Sequence, residues 1–233
     1  MTTYTFIAKP STQFVNWNDP TVWAGGVFPN AADADVIFPR ITTSGGDVFW
    51  SVVTVPGGLS FSAHSVSIRN NVLWMFGNLT VSGDFALDPG GSVEMRGGIL
   101  SVGSLENNGT QINRNGQIFV AGLLTNNTEI VGSGLTITAG SLTNTGLLAA
   151  TSGDMTVNVT AGGFTNLSGS TLTGGTYQAG GDAGGYDSTL YLNVGGVIAT
   201  NATDIVLNGG EIASYDTASS TFVPLESSLH LIS

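Results

Sequence analysis

The sequence contains no cysteine and few basic residues: 5 Lys and Arg stand against 16 Asp and Glu in 233 residues. The absence of cysteine excludes disulfide bonds, thiolate metal sites and cysteine nucleophiles. The formal net charge of −11 makes the average surface repel phosphate groups, so we expect neither nucleic acid nor an anionic membrane as a partner. The two histidines, His64 and His230, are far apart in sequence, which argues against a zinc site.

Charged residues make up 9% of the chain, and no apolar run approaches the ~20 residues that span a bilayer, so we expect no membrane insertion. The chain has instead 34 glycines, 41% hydrophobic residues and many Ser, Thr, Asn and Val. This composition is too apolar for an unfolded chain and too poor in helix formers for a helical one. It predicts an all-β protein.

An apolar-x-apolar motif recurs through the middle of the chain, at residues 79–81, 100–102, 118–120, 135–137 and 155–157. The last residues of successive motifs are 21, 18, 17 and 20 positions apart. Alternation of this kind places both large side chains on one face of a β-strand. The nearly constant period predicts a repeat architecture.

A second motif, Leu or Phe followed two residues later by Asn, ends at Asn107, Asn126, Asn144 and Asn166, with spacings of 19, 18 and 22. A glycine precedes each copy by a few residues and permits a corner in the chain. Two structural roles for the asparagines stay open. They form either a ladder of hydrogen-bonded amides or a series of turn residues.

A coil of about 19 residues is too short to bury its own apolar face, but stacked coils bury it together. We therefore predict a right-handed parallel β-helix over residues 63–233, with 17–22 residues in each coil. About eight coils at the strand spacing of ~4.8 Å would make a rod of about 40 Å.

Residues 1–62 are predicted to cap the first coil, because an uncovered strand edge would pair with other chains. Trp17, Trp23 and Trp50 lie in this segment, and so do five of the seven prolines. We assign Trp17 and Trp23 structural roles. Trp74 and Phe76, in the first coil, are interpreted as a contact beneath the cap and not as part of a ligand site.

Two stretches resemble bacterial β-helical surface proteins. Residues 16–38 (NWNDPTVWAGGVFPNAADADVIF) are similar to the segment that leads into the first strand of such proteins, and residues 164–177 (FTNLSGSTLTGGTY) to autotransporter-passenger and filamentous-haemagglutinin-like adhesin repeats. The resemblance implies a secreted or cell-surface protein that acts in adhesion or biofilm formation. Its partners would be a host or neighbouring cell, a glycan or an abiotic surface.

The sequence shows no familiar signal for export of the protein. Residues 1–10 lack the basic and apolar regions of a signal peptide, and the Asn-Pro-Asn-Gly motif of two-partner-secreted haemagglutinins is missing. We expect a fragment of a longer exoprotein, or a protein exported through a C-terminal signal.

No catalytic residue is assigned. Glycoside hydrolysis requires two carboxylates, and Asp182 with Asp187 or Asp204 with Glu211 are modest clusters in glycine-rich loops. A polysaccharide lyase requires basic groups, and the five in this chain are dispersed. The arginines among them, such as Arg96, are interpreted as scattered surface charges.

Calcium is the candidate cofactor, because acidic repeats of secreted proteins often bind it. The candidate ligands are Asp182, Asp187, Asp33 and Asp35. The glycine-rich stretch 180–187 resembles one copy of a calcium-binding nonapeptide, but a single copy cannot build a roll of such repeats.

The predicted function is a non-enzymatic stiff stalk or attachment module of a bacterial surface protein. Two alternatives remain. One is a β-helix that binds or degrades polysaccharide. The other is a filament or surface-layer protomer that associates end to end through an uncapped coil.

Overall fold

The fold consists almost entirely of β-strands, in a computed structural model that describes residues 1–7, 14–42, 48–160, 163–181 and 187–228. The strands are β1 (Thr2–Thr5), β2 (Phe14–Asn16), β3 (Ala34–Phe38), β4 (Ile41–Thr42), β5 (Val48–Phe49), β6 (Val52–Val55), β7 (Ser60–Ala63), β8 (Ser65–Ile68), β9 (Val72–Met75), β10 (Asn78–Leu87), β11 (Ser92–Asn107), β12 (Gln111–Asn126), β13 (Glu129–Asn144), β14 (Leu147–Ala150), β15 (Met155–Val159), β16 (Leu167–Ser168), β17 (Thr171–Ala179), β18 (Thr189–Asn193), β19 (Thr200–Leu207), β20 (Glu211–Asp216) and β21 (Thr221–Pro224). The all-β prediction is confirmed.

Within the described ranges, helix is limited to one 3-10 turn, Pro20–Val22, and one α-turn, α1 (Leu225–Ser228). Asp19 caps the 3-10 turn by accepting a hydrogen bond from the Thr21 amide at 2.9 Å. Across the described ranges, neither these turns nor any other helix has the length and apolarity to cross a membrane.

Among the described residues, nineteen strands form one mostly parallel sheet, in which most strands pair with strands that are distant in sequence. The pairings group into three series. Ladder 1 contains β2, β6, β9, the first parts of β11, β12 and β13, then β14, β17 and β19. Ladder 2 contains β7, the first part of β10, the middle parts of β11, β12 and β13, then β15, β18 and β20. Ladder 3 contains β1, β3, β8 and the last parts of β10, β11, β12 and β13.

The 16-residue strands β11, β12 and β13 each contribute to all three ladders in turn. Two register shifts interrupt the pairing of β11 with β12, between Arg96 and Ile99 and between Val102 and Leu105. These shifts divide the long strand into its three parts. Each of these strands therefore adds one paired segment, which we call a rung, to every ladder.

The core is built from side chains that alternate with exposed ones along each strand, as the period of two requires. In ladder 2 the paired, fully buried side chains form one column, which runs through Leu79, Leu100, Ile118, Ile137, Val157 and Leu192. Each of these side chains packs on its counterpart in the neighbouring strand, so the core continues from one strand to the next.

The glycine that precedes each asparagine motif is required by close stacking. A Cβ at Gly140 would lie 2.5 Å from the Ala121 carbonyl oxygen of the preceding rung. Gly140 has no positive φ. The expected role as a corner residue thus depends on the lack of a side chain and not on a left-handed backbone.

One predicted register is wrong by two residues. The spacing of apolar motifs aligned Ile118 with Leu135, whereas the structure pairs Ile118 with Ile137 and Gly116 with Leu135. A shift of two keeps the same side chains on the buried face, so the apolar pattern does not distinguish the two registers. The error arises because β13 has three buried positions in alternation, Leu135, Ile137 and Ala139, and the structure pairs the last two with Ile118 and Val120.

The later part of the chain departs from the short period. Val157 pairs with Leu192, 35 residues farther on, because the antiparallel pair of β16 and β17 lies between them. At the end of ladder 2, β20 pairs with β21 in antiparallel fashion, and the buried Leu225 follows.

Residues 1–62 supply strands to the same sheet as the rest of the chain. The predicted boundary between residues 62 and 63 lies inside β7, which pairs with β10. At the free edge of β7, Asn30 Oδ1 accepts a hydrogen bond from the Ser62 amide at 3.0 Å. Phe28 packs on Phe61 next to it, at 6.1 Å between ring centroids.

The core column yields a stability prediction. Replacing Ile118 with Ala removes a buried side chain between two neighbours and is expected to lower the free energy of unfolding by about 2–5 kcal/mol. Phe119→Ala, at a side chain that is 41% exposed, is the matched control and should cost much less. Urea unfolding followed by circular dichroism measures both. Equal losses would contradict the assignment of faces.

Candidate functional site

A groove lined by aromatic and charged side chains lies on the outer side of ladder 1. We call it the aromatic groove. It encloses a cavity of about 320 Å³. It is lined by Trp50, Val52, Val72, Trp74, Ser92, Val93, Glu94, Gln111, Asn113 and Arg114.

The register of ladder 1 positions these side chains in two parallel rows. The first row runs from Val52 through Val72 and Ser92 to Gln111. The second runs from Thr54 through Trp74 and Glu94 to Asn113. Residues two apart on one strand share a face, so both rows look outward while Val53, Leu73 and Val93 fill the core between them.

Trp74 lines the groove and contacts three neighbouring side chains. The guanidinium carbon of Arg96 lies 3.9 Å above the Trp74 ring centroid and 5.4 Å from that of Phe76. Phe14, from the N-terminal segment, approaches Trp74 at 5.2 Å between centroids. Trp74 therefore makes the predicted contact with the N-terminal segment. It also lines the groove, which was not predicted from the sequence.

Glu94 is buried, with 9% of its surface exposed, and is held by two arginines. Arg96 donates to its Oε1 and Oε2 at 2.9 and 3.0 Å, and Nε of Arg114 forms an ion pair with Oε1. A buried carboxylate requires such partners, because leaving it unpaired costs several kcal/mol. The interpretation of Arg96 and Arg114 as scattered surface charges is wrong, since both converge on Glu94.

Arg114 reaches Glu94 because of an unusual backbone conformation. It pairs with Met95, whose side chain is buried, so an ordinary strand would direct Arg114 into the core. Its φ of 74° is in the left-handed region, and its side chain is instead 58% exposed. A non-glycine residue in this region carries strain, which is typical of functional positions.

The groove can bind but has few groups for catalysis. Among the described residues that line it, Glu94 is the one acidic side chain, and its oxygens are occupied by Arg96 and Arg114. Glycoside hydrolysis uses a pair of carboxylates. Aromatic rings with a few polar groups are instead typical of small-molecule binding sites.

The predicted asparagines form a chain of hydrogen bonds inside ladder 3. Asn107 donates through Nδ2 to Asn126 Oδ1 at 2.8 Å, and Asn126 donates to Asn144 Oδ1 at 2.7 Å. Asn166 continues the chain by bonding to the backbone of Asn144. Its Oδ1 accepts a hydrogen bond from the Asn144 backbone N–H, and its Nδ2 donates to the Asn144 backbone carbonyl, both at 2.7 Å. Of the two roles left open by the sequence, this geometry is that of a ladder.

The chain of asparagines ends next to a tyrosine in the core. Asn144 Nδ2 and the Tyr177 hydroxyl are both buried, and neither makes a hydrogen bond of good geometry among the described residues. Burial raises the pKa of the Tyr177 hydroxyl above its usual value, and the nearby Asn144 side chain offsets part of that rise. Burial thus adds to the ordinary preference of a tyrosine for its neutral form.

Trp17 and Trp23 belong to a buried aromatic cluster near the N-terminus. Trp17 Nε1 donates to the Pro29 carbonyl at 2.7 Å, and Trp23 Nε1 donates to the Trp17 carbonyl at 2.8 Å. Their rings are 5.3 Å apart, and both contact Phe38 of β3. Both indoles thus have a partner for their N–H, as buried tryptophans require.

The calcium candidates do not converge. Asp35 Oδ1 accepts hydrogen bonds from Ser65 Oγ at 2.6 Å and from His64 Nδ1 at 2.9 Å, and these bonds hold the pKa of Asp35 below its usual value. Asp33 lies 3.9 Å from the N-terminal amine. Asp187 lines a separate pocket together with Glu211, the first residue of β20, and Asp182 lies outside the described residues.

Metal-binding clusters are not found in the part of the chain that the structure describes, where no three His, Asp or Glu side chains come together. The suggested pair of Asp204 and Glu211 is divided between two ladders: Asp204 pairs with Thr176 in ladder 1, and Glu211 with Thr189 in ladder 2.

The aromatic groove was not predicted, although the sequence contains a signal for it. Trp74, Glu94 and Asn113 are separated by 20 and 19 residues, which is one period of the repeat. The predicted repeat motifs consist of apolar and asparagine positions and contain neither Trp74 nor Glu94, so they do not indicate the groove. The left-handed conformation of Arg114 has no signal in its residue type.

Comparison with known proteins identifies no relative: no protein-family model, no curated protein and no solved structure matches the chain.

The asparagine ladder yields a second stability prediction. Replacing Asn126 with Ala leaves Asn144 Oδ1 and the Leu147 carbonyl without their donor, so we expect a loss of about 2 kcal/mol or more in unfolding free energy. Asn127→Ala, which removes an exposed amide bonded to Asn108, is the control and should change stability by about 0.5 kcal/mol or less. Thermal and urea unfolding measure both variants. If Asn126→Ala is as stable as Asn127→Ala, the ladder does not stabilise the fold.

Proposed function

We propose that this chain is a right-handed parallel β-helix with an N-terminal cap, and that it serves as a non-enzymatic stalk or attachment module of a secreted bacterial surface protein. The observation that carries the proposal is the path of β11, β12 and β13, each of which adds a rung to all three ladders in sequence. A chain that repeats this path winds around a common axis.

Right-handed winding follows from a general rule. Connections between parallel strands of one sheet are right-handed in about 98% of cases, because of the right-handed twist of the strands. The resemblance of residues 16–38 and 164–177 to β-helical surface proteins supports the same topology.

Stiffness is the mechanical property that such a coil would supply. Backbone hydrogen bonds, the apolar column through Ile118 and the amide chain through Asn126 all run from one rung to the next. Bending the stack would stretch all three sets on one side. The eight strands of ladder 2 correspond to a length of about 35 Å at the usual strand spacing.

An attachment role is favoured over polysaccharide degradation by the chemistry of the aromatic groove. It offers aromatic surface, amides and guanidinium groups for binding, whereas its acidic side chain, Glu94, is engaged in two ion pairs. Removal of Glu94 from these pairs would be needed before it could act as an acid or a nucleophile.

The proposal predicts where the protein is found and what its loss does. Antibodies against the chain should label intact cells, and deletion of the gene should reduce attachment to glycan-coated or abiotic surfaces, with recovery on complementation. The purified chain should release no reducing ends from a panel of polysaccharides. Confinement to the cell interior, unchanged attachment after deletion, or glycan cleavage that Glu94→Gln abolishes would contradict the proposal.

A further inference from the structure

We infer that the aromatic groove is a binding site for an acidic glycan, in which Arg114 pairs with a sugar carboxylate and Trp50 and Trp74 contact the sugar rings. This inference rests on the proposed attachment function and names the class of ligand that the groove would hold.

The size of the groove suits a short glycan segment. Its volume of about 320 Å³ is at the lower end of the roughly 300–1,000 Å³ range of small-molecule sites. The cavity lies on the outer face of ladder 1, where a ligand can reach it from outside. Trp50 is 50% exposed, although a large aromatic side chain is usually buried. An exposed indole presents a flat apolar face to a ligand and keeps an N–H donor for hydroxyl groups.

The charge of the groove favours an anion. Glu94 and the two arginines that hold it sum to one net positive charge, in a chain whose formal net charge is −11. The Debye length at physiological ionic strength is about 8 Å, so distant acidic residues are largely screened while the groove charges act on a bound ligand directly. A carboxylate in contact with the groove therefore meets a local field opposite to the average surface.

Arg114 is the group that would contact the carboxylate. Arg96 is committed to Glu94 and to the Trp74 ring. Arg114 uses only Nε for Glu94, and within the described ranges its terminal nitrogens donate to no protein acceptor. A planar guanidinium with two terminal nitrogens available binds carboxylates in a bidentate manner. The left-handed backbone of Arg114 is what directs this group out of the core and into the groove.

The groove walls supply groups for sugar hydroxyls. Gln111 and Asn113 line the cavity on the rung next to Glu94. Asn113 Oδ1 is buried and has no hydrogen-bond partner among the described residues. No described donor holds this oxygen in place, so the Asn113 amide is free to reorient toward a sugar hydroxyl that enters the groove. The exposed indole of Trp50 matches the apolar face of a sugar ring, which an acidic peptide such as poly-glutamate lacks, and this favours a glycan.

The test measures binding of tetragalacturonate to the whole chain by isothermal titration calorimetry, with tryptophan fluorescence as a second readout. Arg114→Gly removes the guanidinium, and glycine accepts the left-handed φ without strain, so the variant is expected to fold. We expect it to weaken binding about 10-fold or more, and Trp50→Ala to weaken it to a similar degree. Arg69→Ala is the matched control, because Arg69 is also exposed and paired with a carboxylate, Asp88, but lies outside the groove.

The probes separate the parts of the inference. The methyl ester of the same tetramer, which lacks only the charges, should bind weakly and without dependence on Arg114. Equal binding of the ester would overturn the role of the carboxylate. Poly-glutamate bound equally well, with the same dependence on Arg114, would make the ligand an acidic peptide and overturn the glycan. No binding of the tetramer by a folded chain that still supports cell attachment would overturn the inference alone. Binding without any effect of gene deletion on attachment would overturn the proposed function alone.

Discussion

Hydrogen bonding between parallel strands one period apart is the interaction on which the rest of the structure depends. A single rung such as β12 cannot bury its apolar side chains, because it has no second layer of its own. Pairing with β11 and β13 satisfies its backbone and at the same time superposes Leu100, Ile118 and Ile137 in one column. Core packing, the asparagine chain and the outer rows of the aromatic groove are all consequences of this one register.

The same register explains how a chain with little charge can hold a buried ion pair. Trp74, Glu94 and Asn113 follow one another on successive rungs, so each side chain is placed beside the next without any special loop. Arg114 is the exception, since its position in the strand faces the core and only a left-handed φ brings its guanidinium to Glu94. Regular stacking thus supplies the groove, and one local deviation supplies its exposed charge.

The apolar period and the repeated asparagines were sufficient to predict an all-β chain and the side chains that form its core. The register of Ile118 could not be predicted, because a shift by two residues leaves the apolar pattern unchanged. The 35-residue interval between Val157 and Leu192 was equally hidden, since nothing in the composition marks an inserted antiparallel pair. The site was missed for a different reason: its residues share a spacing but not a residue type.

The most direct test of this account is the register itself, and the absence of native cysteine makes it a clean one. Phe119 pairs with Thr138 on the outer face of ladder 2, whereas the motif spacing alone would place Thr136 beside it. A disulfide requires Cα atoms closer than about 7 Å. The account predicts that Phe119→Cys with Thr138→Cys oxidises to an intramolecular disulfide and that Phe119→Cys with Thr136→Cys does not. The reverse result would contradict the stacked register and everything derived from it.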